Sequence, residues 1–197
     1  MIYFTADLHL RHNNIVNLCN RPWKPEENNE MVIQSLNSVL DAGDVLYVIG
    51  DFCFSDSFAV WQEYCRRING TIILLPGNHD YLYIKRKESL AAYEWTLVRE
   101  PGKFAYFVDE GNALHEVVID NIYFVLFHYP LLTWNRIHRG AVHLFGHEHG
   151  NMDNVVKGNC IDVGFDCKRW GHKPVSMKQI KDWLRDERGY FQKQGGR

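Results

Sequence analysis

The chain carries no surplus of charge of either sign: 22 Lys and Arg stand against 24 Asp and Glu over 197 residues. That balance removes the usual electrostatic signature of an obligatory nucleic-acid or acidic-membrane partner, although a local basic patch stays open. No apolar run approaches the ~20 residues that a membrane-spanning helix requires. Met1 leads straight into strand-like residues, so no signal peptide is expected. The five cysteines (Cys19, Cys53, Cys65, Cys160 and Cys167) are odd in number and lack any C-x-x-C pairing. Reduced, mostly buried thiols and a cytoplasmic location are the expectation. There is no internal repeat, low-complexity tract or linker. With 46% apolar content, one domain over residues 1–189 is expected, followed by a frayed tail over 190–197.

What is present is a set of short apolar runs that each end in a polar side chain suited to metal binding. Thr71-Ile72-Ile73-Leu74-Leu75 reads as a strand buried on both faces. Pro76 stops it, Gly77 is expected to supply a backbone conformation that other residues resist, and Asn78, His79 and Asp80 follow on one turn. Ile2 to Ala6 runs into Asp7-Leu8-His9, and Val45 to Ile49 ends in Gly50-Asp51. Ile122 to Phe127 delivers His128, and Val142 to Phe145 delivers Gly146-His147-Glu148-His149-Gly150. Asp7 and His9, and likewise His147 and His149, would share one side of an extended backbone. Open α/β sheets place ligand sites at these carboxyl ends. Any one such histidine is by default a satisfied core residue; five strand ends that all carry ligand types together indicate a di-metal site.

Between these runs, helices are expected from Glu26 to Leu40, Phe58 to Ile68, Lys85 to Ala92 and Val175 to Asp186, the last with Ser176 as a candidate N-cap. Further strands are read at Glu94–Val98, Phe104–Val108, Leu114–Ile119 and Cys160–Val163, with Asp120-Asn121 as a two-residue turn. Cys53 is expected to be a packed thiol rather than a ligand. Arg21, on the loop after the first ligands with Arg11 and Trp23 nearby, is a candidate fork for a phosphate oxygen; the alternative is a solvated loop with Trp23 tucked on the core.

The order D-x-H, G-D, G-N-H-D, H and G-H-x-H resembles the calcineurin-like metallophosphoesterases over Asp7 to His149. The runs D-L-H-L-R-H-N-N-I, L-C-N-R-P-W, F-H-Y-P and K-P-V-S-M are similar to a small prokaryotic and phage-type branch. The resemblance implies an α/β fold, a four-layer αββα sandwich of two mixed sheets flanked by helices. It also implies one ion on Asp7, His9, Asp51 and His149, and another on Asp51, Asn78, His128 and His147, with Asp51 bridging. His79 would be the catalytic, non-ligating histidine and Asp80 its orienting partner; Arg21 and Asn78 would contact substrate. The run Gly50-Asp51-Phe52-Cys53-Phe54 lacks the further Asp or Arg that many relatives carry, and there is no room for a large cap domain.

Two divalent ions on such ligands leave positive charge that favours a phosphate ester and its transition state. Mixed oxygen and imidazole donors suit Mn2+ or Fe2+ ahead of Zn2+. The expected reaction is hydrolysis of a phosphomonoester or small phosphodiester by a metal-bound hydroxide, with His79 protonating the leaving group. The alternatives are a nuclease acting on polynucleotide, which labelled single strands would reveal, and a non-catalytic scaffold, which metal-dependent turnover would exclude.

Overall fold

Apolar strands without alternation need cover on both faces, and here they receive it from a helical layer on one side and a second sheet on the other. The computed structural model describes residues 1–82, 96–108, 113–152 and 158–186. Strands β1 (Ile2–Thr5), β2 (Val45–Ile49), β3 (Thr71–Leu75), β4 (Thr96–Glu100), β5 (Lys103–Phe107) and β10 (Val175–Ser176) form a six-stranded sheet in the order β10-β1-β2-β3-β5-β4. Its central pairs β1/β2, β2/β3 and β3/β5 are parallel, and the two edges are antiparallel. The second sheet is β6 (His115–Ile119), β7 (Ile122–Leu126), β8 (Val142–Phe145) and β9 (Cys160–Asp162), antiparallel at β6/β7 and parallel beyond.

Alternate residues of each strand serve different cores. Phe4, Tyr47, Ile49, Ile73 and Leu75 face Phe124, Leu126, Val142 and Leu144 in the layer between the sheets. Tyr3, Leu46, Val48, Ile72 and Leu74 pack instead against α2 (Asn28–Asn37) and α3 (Phe58–Arg67) through Val32, Leu36, Trp61 and Cys65. The short α1 (Ile15–Leu18) precedes them, and α4 (Met177–Asp186) closes the inter-sheet layer with Ile180 and Leu184. Among the described residues, the outer face of the smaller sheet is covered by Trp134, Ile137 and Met152 from loops and a 3-10 turn.

The expected two mixed sheets with helices are therefore present. Helix ends moved inward: the segment read as Glu26–Leu40 is a 3-10 turn at Pro25–Glu27 followed by α2. Ser176 caps α4, its Oγ accepting from Gln179 N (3.2 Å) while Gln179 Oε1 accepts from Ser176 N (2.9 Å), a reciprocal box. Asp120 and Asn121 both have positive φ, the backbone of the tightest hairpin turn. The helix expected at Lys85–Ala92, the start of the strand expected at Glu94–Val98 and the tail over 190–197 lie outside the described residues.

Register sets up the site. Thr5 lies beside Val48, and Ile49 beside Leu75, so the chain leaves β1, β2 and β3 at one level. Phe165 N donates to Ala6 O (2.9 Å), and Ala6 bridges Gly164, which ties the exit of β1 to the segment after β9. Both sheets thereby deliver their loops to one end of the sandwich.

Candidate metal centre

The loops that leave the strands are not extended. Asp7 (φ 59°), His9 (49°), Asp51 (56°), His147 (71°) and His149 (49°) all occupy the left-handed region. This corrects the extended D-x-H and H-x-H expected above: paired left-handed residues, not a strand pleat, bring each pair of side chains to the site. A non-glycine residue there costs on the order of 1–3 kcal/mol, so surrounding contacts must hold it. They do. His9 N donates to Asp51 O (2.9 Å), Asp7 N to Gly50 O (3.1 Å), and His147 N to both Asp7 carboxylate oxygens (3.0 Å each). Gly77 is not among the positive-φ glycines; what excludes a side chain there is Asp51, whose Oδ1 and backbone N would lie within 3.0 Å of any Cβ.

Ligand atoms of Asp7, His9 and His149 lie within 4.8 Å of one another, and so do those of Asp7, Asp51 and His128. Asp7 belongs to both groups, and Asp51 Oδ2 of the second reaches towards the first, 3.5 Å from His9 Nε2 as well as 3.4 Å from His128 Nε2. Asn78 Oδ1 closes the second group, 3.1 Å from His128 Nε2 and 3.0 Å from His147 Nδ1. His128 is aimed by its Nδ1, which donates to Ile49 O (2.9 Å). All seven residues expected as ligands are thus brought to one place. Both ring nitrogens of buried His9 lack a hydrogen-bond partner, as does the buried His79 Nδ1. Orphaned imidazole nitrogens beside two buried carboxylates are the donor set that a pair of divalent cations would satisfy.

Burial and the neighbouring charges shift the titration of the site residues in opposite directions. Burial pushes the Asp7 carboxyl up to about 6, against the opposing pull of His128 and His149. Burial also drives His9 down to about 3 despite Asp51. For Asp51, burial is outweighed by the His128 hydrogen bond and charge, which hold the carboxyl at about 2. Burial opposes protonation of His128, yet Asp51 and Asp7 raise it to about 9.

Two expected roles are corrected. Asp80 makes no described contact that would orient the His79 imidazole. It is fully buried, and its oxygens accept from Gly77 N (2.7 Å), Asp51 N (2.9 Å), Phe52 N (2.9 Å) and Cys53 N (3.3 Å). Burial and Asp51 push this carboxyl up to about 7; four N–H donors facing it fit the ionised form, which staples the β2 and β3 loops together. Arg21 is equally unavailable to substrate. It is buried, and its five N–H donors go to Asp166 Oδ1 (2.8 Å), Asp166 Oδ2 (2.9 Å), Leu8 O (3.1 Å), Asp7 O (2.9 Å) and Asn28 Oδ1 (2.9 Å). Trp23 donates to Asn28 Oδ1 and packs on the core. Cys53 is a buried thiol whose pKa burial pushes upward, as expected of a packed residue.

Asp166, missed in the sequence, accepts from His149 Nδ1 at 2.8 Å. Its signal was available, since Asp166 follows strand β9 just as the other site residues follow theirs. Also missed was an aromatic collar: His12 stacks on Phe54 (4.5 Å), which contacts His79 (5.0 Å) and Tyr81 (4.9 Å), while Tyr129 lies 4.4 Å from His147.

A family model described as calcineurin-like phosphoesterase matches residues 1–172. The chain belongs to this family. Membership supports a metal-dependent phosphoester hydrolase in general and a centre of two divalent ions, for which the described residues supply the ligand groups above. Among this chain's relatives is a Methanocaldococcus jannaschii chain named "Uncharacterized protein MJ1445". It is 35% identical over 117 residues, covering 58% of this chain and 66% of the relative, just under two thirds of its length. A solved structure, "the Protein of Unknown Function AQ665 from Aquifex aeolicus", superposes with a TM-score of 0.62 at 23% identity over 92% of this chain and 98% of that one, a likeness of fold. No helix among the described residues is long and apolar enough to cross a membrane.

Proposed function

We propose that this phosphoesterase hydrolyses a small phosphomonoester or phosphodiester with two divalent ions, Mn2+ or Fe2+ ahead of Zn2+. The observation that carries the reading is Asp51 Oδ2, buried and flanked at 3.5 and 3.4 Å by the imidazoles of His9 and His128, one from each ligand group. Asp7, His9, Asp51 and His149 would hold one ion; Asp51, Asn78, His128 and His147 would hold the other. Bound there, the ions would act as Lewis acids on the phosphoryl oxygens and lower the pKa of a bound water towards ~7. Water attacks phosphorus, the bond to the leaving oxygen breaks, and that oxygen needs a proton. His79 supplies it in this reading: its ring sits 5.6 Å from that of His9, and its Nδ1 has no hydrogen-bond partner among the described residues. Asn78 doubles as a polar contact for substrate. Five free thiols suit a reducing, cytoplasmic compartment.

The metal-free protein should release protons when it loads. His128 is held up to about 9, and Asp166, outweighing burial, helps hold His149 up to about 11. Each must give up one proton to become a ligand, so about two protons per chain should leave at pH 7. Protons therefore compete, and apparent metal affinity should fall as pH drops below about 11 and more steeply below about 9. Calorimetric Mn2+ titration in buffers of different ionisation enthalpy measures the count; a count near zero would contradict this ligand set.

The choice of metal is tested by reactivation. Four imidazoles and a neutral amide disfavour the hard, oxygen-seeking Mg2+. Stripped protein should be inactive and should regain more turnover with Mn2+ than with Mg2+ on a panel of nucleotides, cyclic nucleotides and aryl phosphates. Equal rescue by Mg2+ would remove the metal assignment, and no metal-dependent turnover on any ester would remove the enzymatic one.

A further inference from the structure

The two ligand groups are not supported alike. In the second, His128 is held by a single carbonyl, Ile49 O of β2, and Asn78 sits on the turn after β3. The first group has one common anchor, built from two residues 145 positions apart. Asp166 accepts from His149 Nδ1 (2.8 Å) and is itself gripped at both oxygens by Arg21 (2.8 and 2.9 Å). The same guanidinium donates to Asp7 O and Leu8 O, and its partner Asn28 donates from Nδ2 to His9 O (3.3 Å). One ion pair thus touches the backbone of Asp7, reaches His9 through Asn28, and fixes the ring of His149.

Such a pair is poorly explained as a stability device. Both side chains are almost wholly buried, 0% exposed for Arg21 and 2% for Asp166. Removing two charges from water costs as much as their attraction returns, and apolar residues of the same volume would often serve as well. What apolar residues cannot do is orient an imidazole. A carboxylate on Nδ1 sets the tautomer with the proton on that nitrogen and leaves the Nε2 lone pair free for a cation.

We propose that the buried Arg21–Asp166 pair is the positioning element of the first metal site, selectively setting its affinity by holding His149, Asp7 and His9 in register. The inference rests on the two-metal reading above. Asp166→Asn should act on that site alone. An amide can turn its NH2 group towards Nδ1, which moves the imidazole proton to Nε2 and blocks the ligand position. Loss of an outer partner of a ligating histidine typically weakens metal binding ~10–100-fold.

The test titrates Mn2+ into the metal-free full chain by calorimetry and follows the spin resonance of the bound ion. Wild type should bind two ions and give the signal of an exchange-coupled pair. Asp166→Asn should keep one ion at unchanged affinity, lose or weaken the other by ~10–100-fold, and give the signal of isolated Mn2+. Two ions bound with wild-type affinity in Asp166→Asn would overturn the proposal, and so would equal weakening of both. A wild-type chain that binds no Mn2+ would overturn the two-metal reading itself, an outcome distinct from the others. Should Asp166→Asn not fold, Arg21→Lys keeps the charge but loses the fork; it should weaken one site and spare the second, and unchanged binding at both would equally sink the proposal.

Discussion

Asp51→Asn should strip both ions from the protein and lower its phosphoesterase turnover more than ~10³-fold, beyond the ~10²–10³ typical of removing one charge-stabilising donor. Asp51 and Asp7 are the only carboxylates in the proposed ligand set, and Asp51 is the residue shared between its halves. Its Oδ2 is the atom placed between His9 and His128. Replacing it with an amide removes a full negative charge from between two cations. Both sites should weaken together, unlike the selective loss expected at Asp166. The fold should survive. Asn tolerates the left-handed φ of 56° better than most residues, and its Oδ1 can still accept from His79 N, as Asp51 Oδ1 does at 2.8 Å. The Asp80 staple binds the backbone N of residue 51 and does not depend on its side chain. Metal content, steady-state kinetics and circular dichroism on one preparation decide it. Full occupancy with near-normal turnover would end the bridging assignment.

The strand exits were legible in the sequence for a physical reason. Strands buried on both faces carry few polar side chains inside, so a polar residue directly after an apolar run marks where the chain emerges. Asp7, Asp51, Asn78, His128 and His147 are found by that rule, and Asp166 follows the same pattern after β9. The parallel register then brings those exits to one end without further information.

Loop conformation was not legible. A D-x-H on paper is compatible with a pleat or with two left-handed residues. The choice is made by acceptors such as Gly50 O and Asp51 O, which come from another strand. Arg21 shows the same limit more sharply. A guanidinium in a polar loop reads as solvent-facing, and only the carboxylate of Asp166, 145 positions away, makes its burial affordable. Asp80 was misread for a related reason: adjacency to His79 in sequence suggested a contact, whereas the turn points its carboxylate inward at four amides from two loops.

His79→Ala should separate chemistry from architecture. The side chain contributes no described hydrogen bond to the site, while its backbone N holds Asp51 Oδ1 whatever residue stands there. Both ions should therefore remain bound in the variant. The imidazole lies against Phe54 and beside the His9 ring, over the first ligand group, where a departing oxygen would be within reach of a proton donor. Positioned acid catalysis is worth ~10²–10⁴-fold when the leaving group is a poor one, such as an alkyl or nucleoside hydroxyl. A nitrophenolate leaves readily as an anion and needs little help. Turnover of alkyl or nucleoside phosphates should thus fall by ~10²–10⁴-fold, with a much smaller loss on p-nitrophenyl phosphate. Equal loss on both substrates would make His79 a group that orients substrate or stabilises charge. Metal loss in the variant would make it a support of the ligand shell, and either result would remove it from the general-acid role.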